Sequence, residues 1–172
     1  PFAAAVARRG ALKAVSVAHI KGSAEALITR ARFNEPKDLA DDSIKADGTT
    51  TATIAAPSTS TTHYVALAVI ANAGMDLTSI NLVYLSPDEI AEAWDAGTID
   101  GACIWGTTMQ HMLNNFWNGS TDEEDKGRAM VDATTVAQWD YVTGNVLVAT
   151  DAFLTDHADL VETLVKAFEQ TR

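Results

Sequence analysis

The stretch NLVYLSPDEIAEAWDAGTIDGACIW, from Asn81 to Trp105, reads as a complete strand–helix–strand unit. Asn81–Leu85 is a short apolar run of the strand type. Ser86-Pro87-Asp88-Glu89 is a helix start, with Ser at the N-cap, Pro at the first helical position and Glu closing a capping box. Gly97 ends that helix, and Ile99–Trp105 begins the next apolar run. Two strands joined through a helix must lie parallel, so this unit favours an α/β fold with mostly parallel strands.

The same alternation continues on both sides. Ala52–Ala56 reads as a small-residue strand and runs into Pro57–Thr62 (PSTSTT), which holds no large side chain. From His63 to Ala73, Tyr64, Leu67, Ala68 and Ala71 mark one helical face and Val65, Val69 and Ala73 the adjacent one, so this helix is expected to be buried on two sides. Gly74 stops it. Further strands are expected at Ala14–Ile20, Ala26–Thr29, Ala129–Asp132 and Val146–Ala149, and a helix at Thr107–Trp117. A final helix carries Leu160, Leu164 and Phe168 on one face. Asp41–Thr51 and Asn118–Gly127 lack periodicity and read as loops.

Composition narrows the function. The chain has 172 residues, a hydrophobic content of 47% and a net charge of −11, from 12 Lys+Arg against 23 Asp+Glu. That is a globular composition, and its acidity argues against holding a phosphate backbone, which needs clustered Lys and Arg. No apolar run reaches the length of a membrane span. The lone Cys103 cannot form an internal disulfide, and His19, His63, His111 and His157 show no metal-ligand spacing, so neither a metal nor another cofactor is expected. G-x-S-x-G, P-loop and G-x-G-x-x-G motifs are absent. The chain opens on Pro1 without a basic or apolar leader, which reads as a processed chain or a piece of a longer one.

The strongest local signal is Pro57–Tyr64, a run of small hydroxyl residues between a strand and a helix. The first N–H groups of a helix lack intrahelical partners and carry the positive end of its dipole, a setting that suits sulfonate, phosphate or carboxylate. An ordinary Ser/Thr N-cap would give the same letters. Trp105, at the end of a strand, and Trp139, in a polar irregular stretch, stand where open α/β sheets place ligands.

In order, TIAAPSTSTTHY, NLVYLSPDEIAEAWDAGTIDGACIW and VAQW…NVLVATDAFLTDHADLVE resemble the solute-binding proteins of nitrate/sulfonate/taurine-type ABC importers. Ser60-Thr61-Thr62-His63-Tyr64, Ala93-Trp94 through Gly101-Ala102, and Gln138-Trp139 carry the likeness to the taurine-type members; Gly22–Leu27 resembles the first crossover strand, with its acidic position at Glu25. The resemblance implies a type II periplasmic-binding fold of two lobes with mainly parallel sheets, lobe one being incomplete. Residues 1–40 would be a remnant of lobe one with the first crossover, 41–144 lobe two, and 145–172 the second crossover and return helix.

It further implies a non-catalytic, extracytoplasmic protein that captures a small sulfonate or related organic anion and passes it to a membrane permease. Ser60, Thr61 and Thr62 would hold the anion, facing one cleft, and His63 would add a donor. Glu25 would face a ligand amine, and Trp105, Gln138 and Trp139 would line the site. Taurine-type members carry an acidic residue two positions after the Thr of the second crossover, and this chain has Asn145 there, after Thr143-Gly144. Asp41–Thr51 and Asn114–Gly127 are longer than the bacterial pattern. Two other readings remain: an interaction subunit that keeps the fold without transport, and an enzyme resembling the thiamine-pyrimidine synthases.

Overall fold

The computed structural model describes residues 11–20, 22–41 and 51–170. Most of the Asp41–Thr51 loop, residues 42–50, lies outside the described residues. Seven strands are described: β1 (Leu12–Ile20), β2 (Glu25–Arg30), β3 (Thr53–Ala56), β4 (Asn81–Tyr84), β5 (Gly101–Trp105), β6 (Gly127–Asp132) and β7 (Gly144–Thr150). The α-helices are α1 (Thr61–Asn72), α2 (Pro87–Asp95), α3 (Gly106–Asn114), α4 (Ala133–Ala137), α5 (Asp151–Asp156) and α6 (Ala158–Gln170). They fall into two compact units, one from Gly22 to Val142 and one formed by residues through Lys21 with Thr143 onward.

The larger unit is a five-stranded sheet in the order β4-β3-β5-β2-β6. β4, β3 and β5 are mutually parallel, as the Asn81–Trp105 unit requires. β2 runs antiparallel to both β5 and β6, so it alone points the other way. Both faces of the sheet are covered, and the strand residues alternate between them with period two. Leu27, Ile54, Cys103 and Val131 pack with Val65 and Val69 of α1 and Val136 of α4. Ala26, Ile28, Ala102 and Ile104 pack with Ile90 and Trp94 of α2 and Met109 and Met112 of α3. The expected helix over Thr107–Trp117 is shorter: α3 ends at Asn114, and Asn115 is extended. Trp117 instead turns its indole N–H onto the Ile99 carbonyl at 2.7 Å.

Local signals place the helix ends. Ser86 and Glu89 form the capping box, with the Ser86 N–H donating to Glu89 Oε2 at 2.7 Å. α1 closes with Gly74 at φ 66°, the Gly74 N–H on Ala71 O and the Met75 N–H on Ile70 O, a left-handed C-terminal cap that a Cβ would strain.

At the edge where the parallel strands begin, Arg30 is 1% exposed and pairs with two carboxylates. Its Nη1 lies 3.1 Å from Asp100 Oδ1 and its Nε 3.0 Å from Asp125 Oδ1. The guanidinium stacks 3.8 Å from the centroid of the Trp117 ring, and Arg32 also pairs with Asp125. Asp100 Oδ2 accepts the Thr53 N–H at 2.9 Å, which ties β3 to the same cluster.

In the second unit β1 and β7 form an antiparallel pair, from Leu12↔Thr150 to Ile20↔Gly144. Of the final helix, Val161 is buried, whereas Leu160 and Leu164 are 55% and 50% exposed.

Candidate functional site

β3, β4, β5 and β6 each lead directly into a helix at the same edge of the sheet, so the N-termini of α1 to α4 gather there. Because β2 runs the other way, its first residue arrives at that edge: Glu25 lies opposite Trp105 in the β2–β5 register. Glu25 is 1% exposed, and its carboxylate accepts the hydroxyl of Thr61, the first residue of α1. A buried carboxylate and a helix N-terminus are therefore adjacent.

The hydroxyl loop is wired internally. Ser60 is the N-cap of α1; its Oγ accepts the His63 N–H at 3.0 Å and donates to Pro57 O at 2.6 Å. Since that hydrogen is committed, the 2.9 Å contact between Ser60 Oγ and Thr62 Oγ1 takes its hydrogen from Thr62. Thr62 is fully buried, so its hydroxyl faces Ser60 and not a cleft. The three hydroxyl hydrogens thus go to Pro57, Glu25 and Ser60. Of the first helical donors, the His63 N–H goes to Ser60 Oγ and the Tyr64 N–H to Ser60 O. The N–H groups of Thr61 and Thr62 have no partner within the helix.

Thr59 holds φ 58°, the left-handed region that β-branched residues avoid, and donates its N–H to His63 Nδ1 at 3.4 Å. With Nδ1 accepting, the ring hydrogen sits on Nε2, which lies 3.2 Å from Tyr84 Oη. The two rings meet edge-on at 4.9 Å. Tyr84, 54% exposed at the end of β4, lies at the site edge, although its local sequence signals only a strand. Its tie to His63 depends on the register Ala56↔Tyr84, which sets the end of β4 beside the strand feeding the hydroxyl loop.

Trp105 is half-buried and packs on the α2/α3 side of the core, while Trp139 packs on the α1/α4 side. Tyr141, just beyond Trp139, meets Tyr64 of α1 edge-on at 5.8 Å, which brings the Gln138-Trp139 turn to the α1 side; Gln138 itself is exposed. Asn145 belongs to the other unit, opposite His19 in the β1–β7 pair. Burial, and then the charge of Glu25, push the Cys103 thiol well up, so it stays protonated. Among the described residues no three His, Cys, Asp or Glu side chains are grouped to hold a metal ion, and no helix is long and apolar enough to cross a membrane. A groove of about 540 Å³ at the far end of α1, lined by Leu67, Ile70, Met75, Asp76 and Leu77 among others, is mostly apolar.

The taurine-binding periplasmic protein of Escherichia coli strain K12 is 28% identical over 167 residues, which is 97% of this chain and 46% of that protein. Among solved structures, the periplasmic aliphatic sulphonate binding protein SsuA of Escherichia coli superposes with a TM-score of 0.70 at 19% identity, over 96% of this chain and 50% of that one. The alkanesulfonate-binding protein SsuA of Xanthomonas axonopodis pv. citri, bound to MOPS, gives 0.68 at 19% identity, over 96% and 50%. The chain thus spans about half the length of the relatives it matches, and its mixed α/β fold is that part of a type II periplasmic-binding architecture. A family profile described as NMT1/THI5 like matches residues 5–171, and the chain belongs to that family.

Proposed function

We propose that this chain is the ligand-capturing part of an extracytoplasmic solute-binding protein that takes up a small sulfonate, such as taurine, for an ABC importer. The observation that carries the reading is the contact between the first residue of α1 and the buried Glu25. Side by side they offer backbone N–H donors at a positive helix end and a carboxylate. A short zwitterion presents the matching pair, a sulfonate for the N–H groups and an ammonium for Glu25. On this reading the Gly22–Val142 unit is lobe two, and the strands and helices of the other unit, with Asn145, belong to lobe one.

Binding without catalysis fits Cys103, whose buried, protonated thiol is no nucleophile. One feature favours a second reading as an interaction subunit: the exposed Leu160 and Leu164 on α6 form an apolar face suited to a partner.

Calorimetric titration with taurine and with ethanesulfonate, against the protein and Glu25→Gln, separates these readings. The expected result is taurine binding that Glu25→Gln weakens about 10- to 150-fold, the range for a hydrogen bond to a charged group. Ethanesulfonate, lacking the amine, loses nothing in the variant. If the protein binds neither ligand, the sulfonate reading falls and the interaction subunit stands ahead.

A further inference from the structure

We propose that Tyr84 is a ligand-binding residue of this site, donating its hydroxyl hydrogen to the anionic head group of the ligand. The inference rests on the proposed sulfonate-binding role and adds a residue to it.

It follows from counting hydrogens. The hydroxyls of Ser60, Thr61 and Thr62 give theirs to Pro57 O, Glu25 and Ser60 respectively, so these three hydroxyls are already committed within the protein. Tyr84 is in the opposite condition. The Thr59 N–H fixes the His63 ring hydrogen on Nε2, and that hydrogen is donated to Tyr84 Oη. A phenol oxygen that accepts still has its own hydrogen to give. Tyr84 is 54% exposed, at the sheet edge where α1 begins, with His63 on the first turn of that helix as its anchor. His63 therefore serves as a positioning residue: it holds the Tyr84 hydroxyl as an oriented donor at the first turn of α1. Thr59, whose N–H fixes that tautomer, holds φ 58°.

The two ends of the ligand make the proposal separable from the reading it rests on. Tyr84→Phe removes only the hydroxyl, and it is expected to weaken taurine and ethanesulfonate alike, about 10- to 150-fold, because both carry the sulfonate. Glu25→Gln, by contrast, weakens taurine only. Equal affinity of the parent and Tyr84→Phe for both ligands overturns the role of Tyr84 while leaving the sulfonate site in place. No binding by the parent removes the sulfonate site and the role of Tyr84 with it. Nitrogen-15 spectra of the imidazoles provide a readout without ligand. His63 is expected to carry its hydrogen on Nε2 in the parent and to shift in Tyr84→Phe; a hydrogen on Nδ1 in the parent breaks the relay and overturns the proposal.

Discussion

Strand β2 ends at both sides in a buried charged residue, Glu25 at one edge of the sheet and Arg30 at the other, each 1% exposed. The two edges solve this in different ways. At the Arg30 edge, Asp100, Asp125, Arg32 and the Trp117 ring surround the guanidinium, and side-chain exposure across the ion pairs stays at 10% or less. At the Glu25 edge the surroundings are hydroxyls, helix N–H groups, an imidazole and a phenol, and Tyr84 stands half in solvent. Ion pairs buried this way are costly to separate, whereas at the other edge Tyr84 still meets solvent. One edge is closed around its charges and the other is partly open to water.

The sharpest way to break that contrast is to remove the cation at the closed edge. Arg30→Met leaves Asp100 buried without its ion pair, and removing one partner of a buried pair costs about 3–5 kcal/mol. Urea unfolding is expected to show a loss of this size; a cost below about 1 kcal/mol would mean that the Arg30 edge does not clamp the sheet.

Acid should weaken the same edge. Burial alone would push the Asp125 carboxyl up, but the hydrogen bond from Ser120 and the charges of Arg30 and Arg32 hold it below the usual range. A carboxylate depressed in the fold stabilises fully above its unfolded pKa, and that stability is lost as pH falls through the folded value. Stability is therefore expected to decline below about pH 4, and Asp125→Asn to flatten that acid limb in pH-dependent unfolding.

The sequence exposed these two edges unequally. The parallel β3–β4–β5 set was legible because apolar runs, the Ser86–Glu89 capping box and Gly97 are local signals. The reversed direction of β2 was not, since a strand buried on both faces reads the same either way. Arg30 and Asp125 are 95 residues apart and Thr61 and Glu25 are 36 apart, so no spacing rule joins them. The hydroxyl run was visible as a helix start, but where its hydrogens go depends on Pro57 O, Glu25 and the burial of Thr62, which only packing decides. Tyr84 looked like any strand aromatic until the β3–β4 register brought it to His63.

At the open edge the next expected effect is smaller. Thr61→Val keeps the shape and removes the hydroxyl that donates to the Glu25 carboxylate. A hydrogen bond to a charged group is worth about 1.5–3 kcal/mol, and thermal unfolding should show a loss in that range. A loss as large as that of Arg30→Met would erase the distinction between the edges.

The smallest effects come from the two serine caps, and they test whether the hydroxyl loop differs from an ordinary helix start. Ser86 serves one residue: it accepts the Glu89 N–H at 3.4 Å and donates to Glu89 Oε2 at 2.7 Å. Ser60 serves three, accepting from the His63 N–H and the Thr62 hydroxyl and donating to Pro57 O. Replacing a Ser cap by Ala costs about 0.5–2 kcal/mol. Ser60→Ala is expected at the upper end, because it also strands the hydroxyl of the fully buried Thr62, and Ser86→Ala at the lower end. The second cap also has a titration signature. The Ser86 hydroxyl and then its N–H hold the Glu89 carboxyl below its usual value, so Ser86→Ala should raise it in a carboxyl NMR titration. The stabilisation linked to Glu89 is present above its unfolded pKa and lost as pH falls through the depressed value, so the Ser86→Ala penalty should shrink in acid. The Ser60→Ala penalty involves no carboxylate at the cap and should persist there. Equal penalties with the same pH dependence would make the hydroxyl loop an ordinary N-cap.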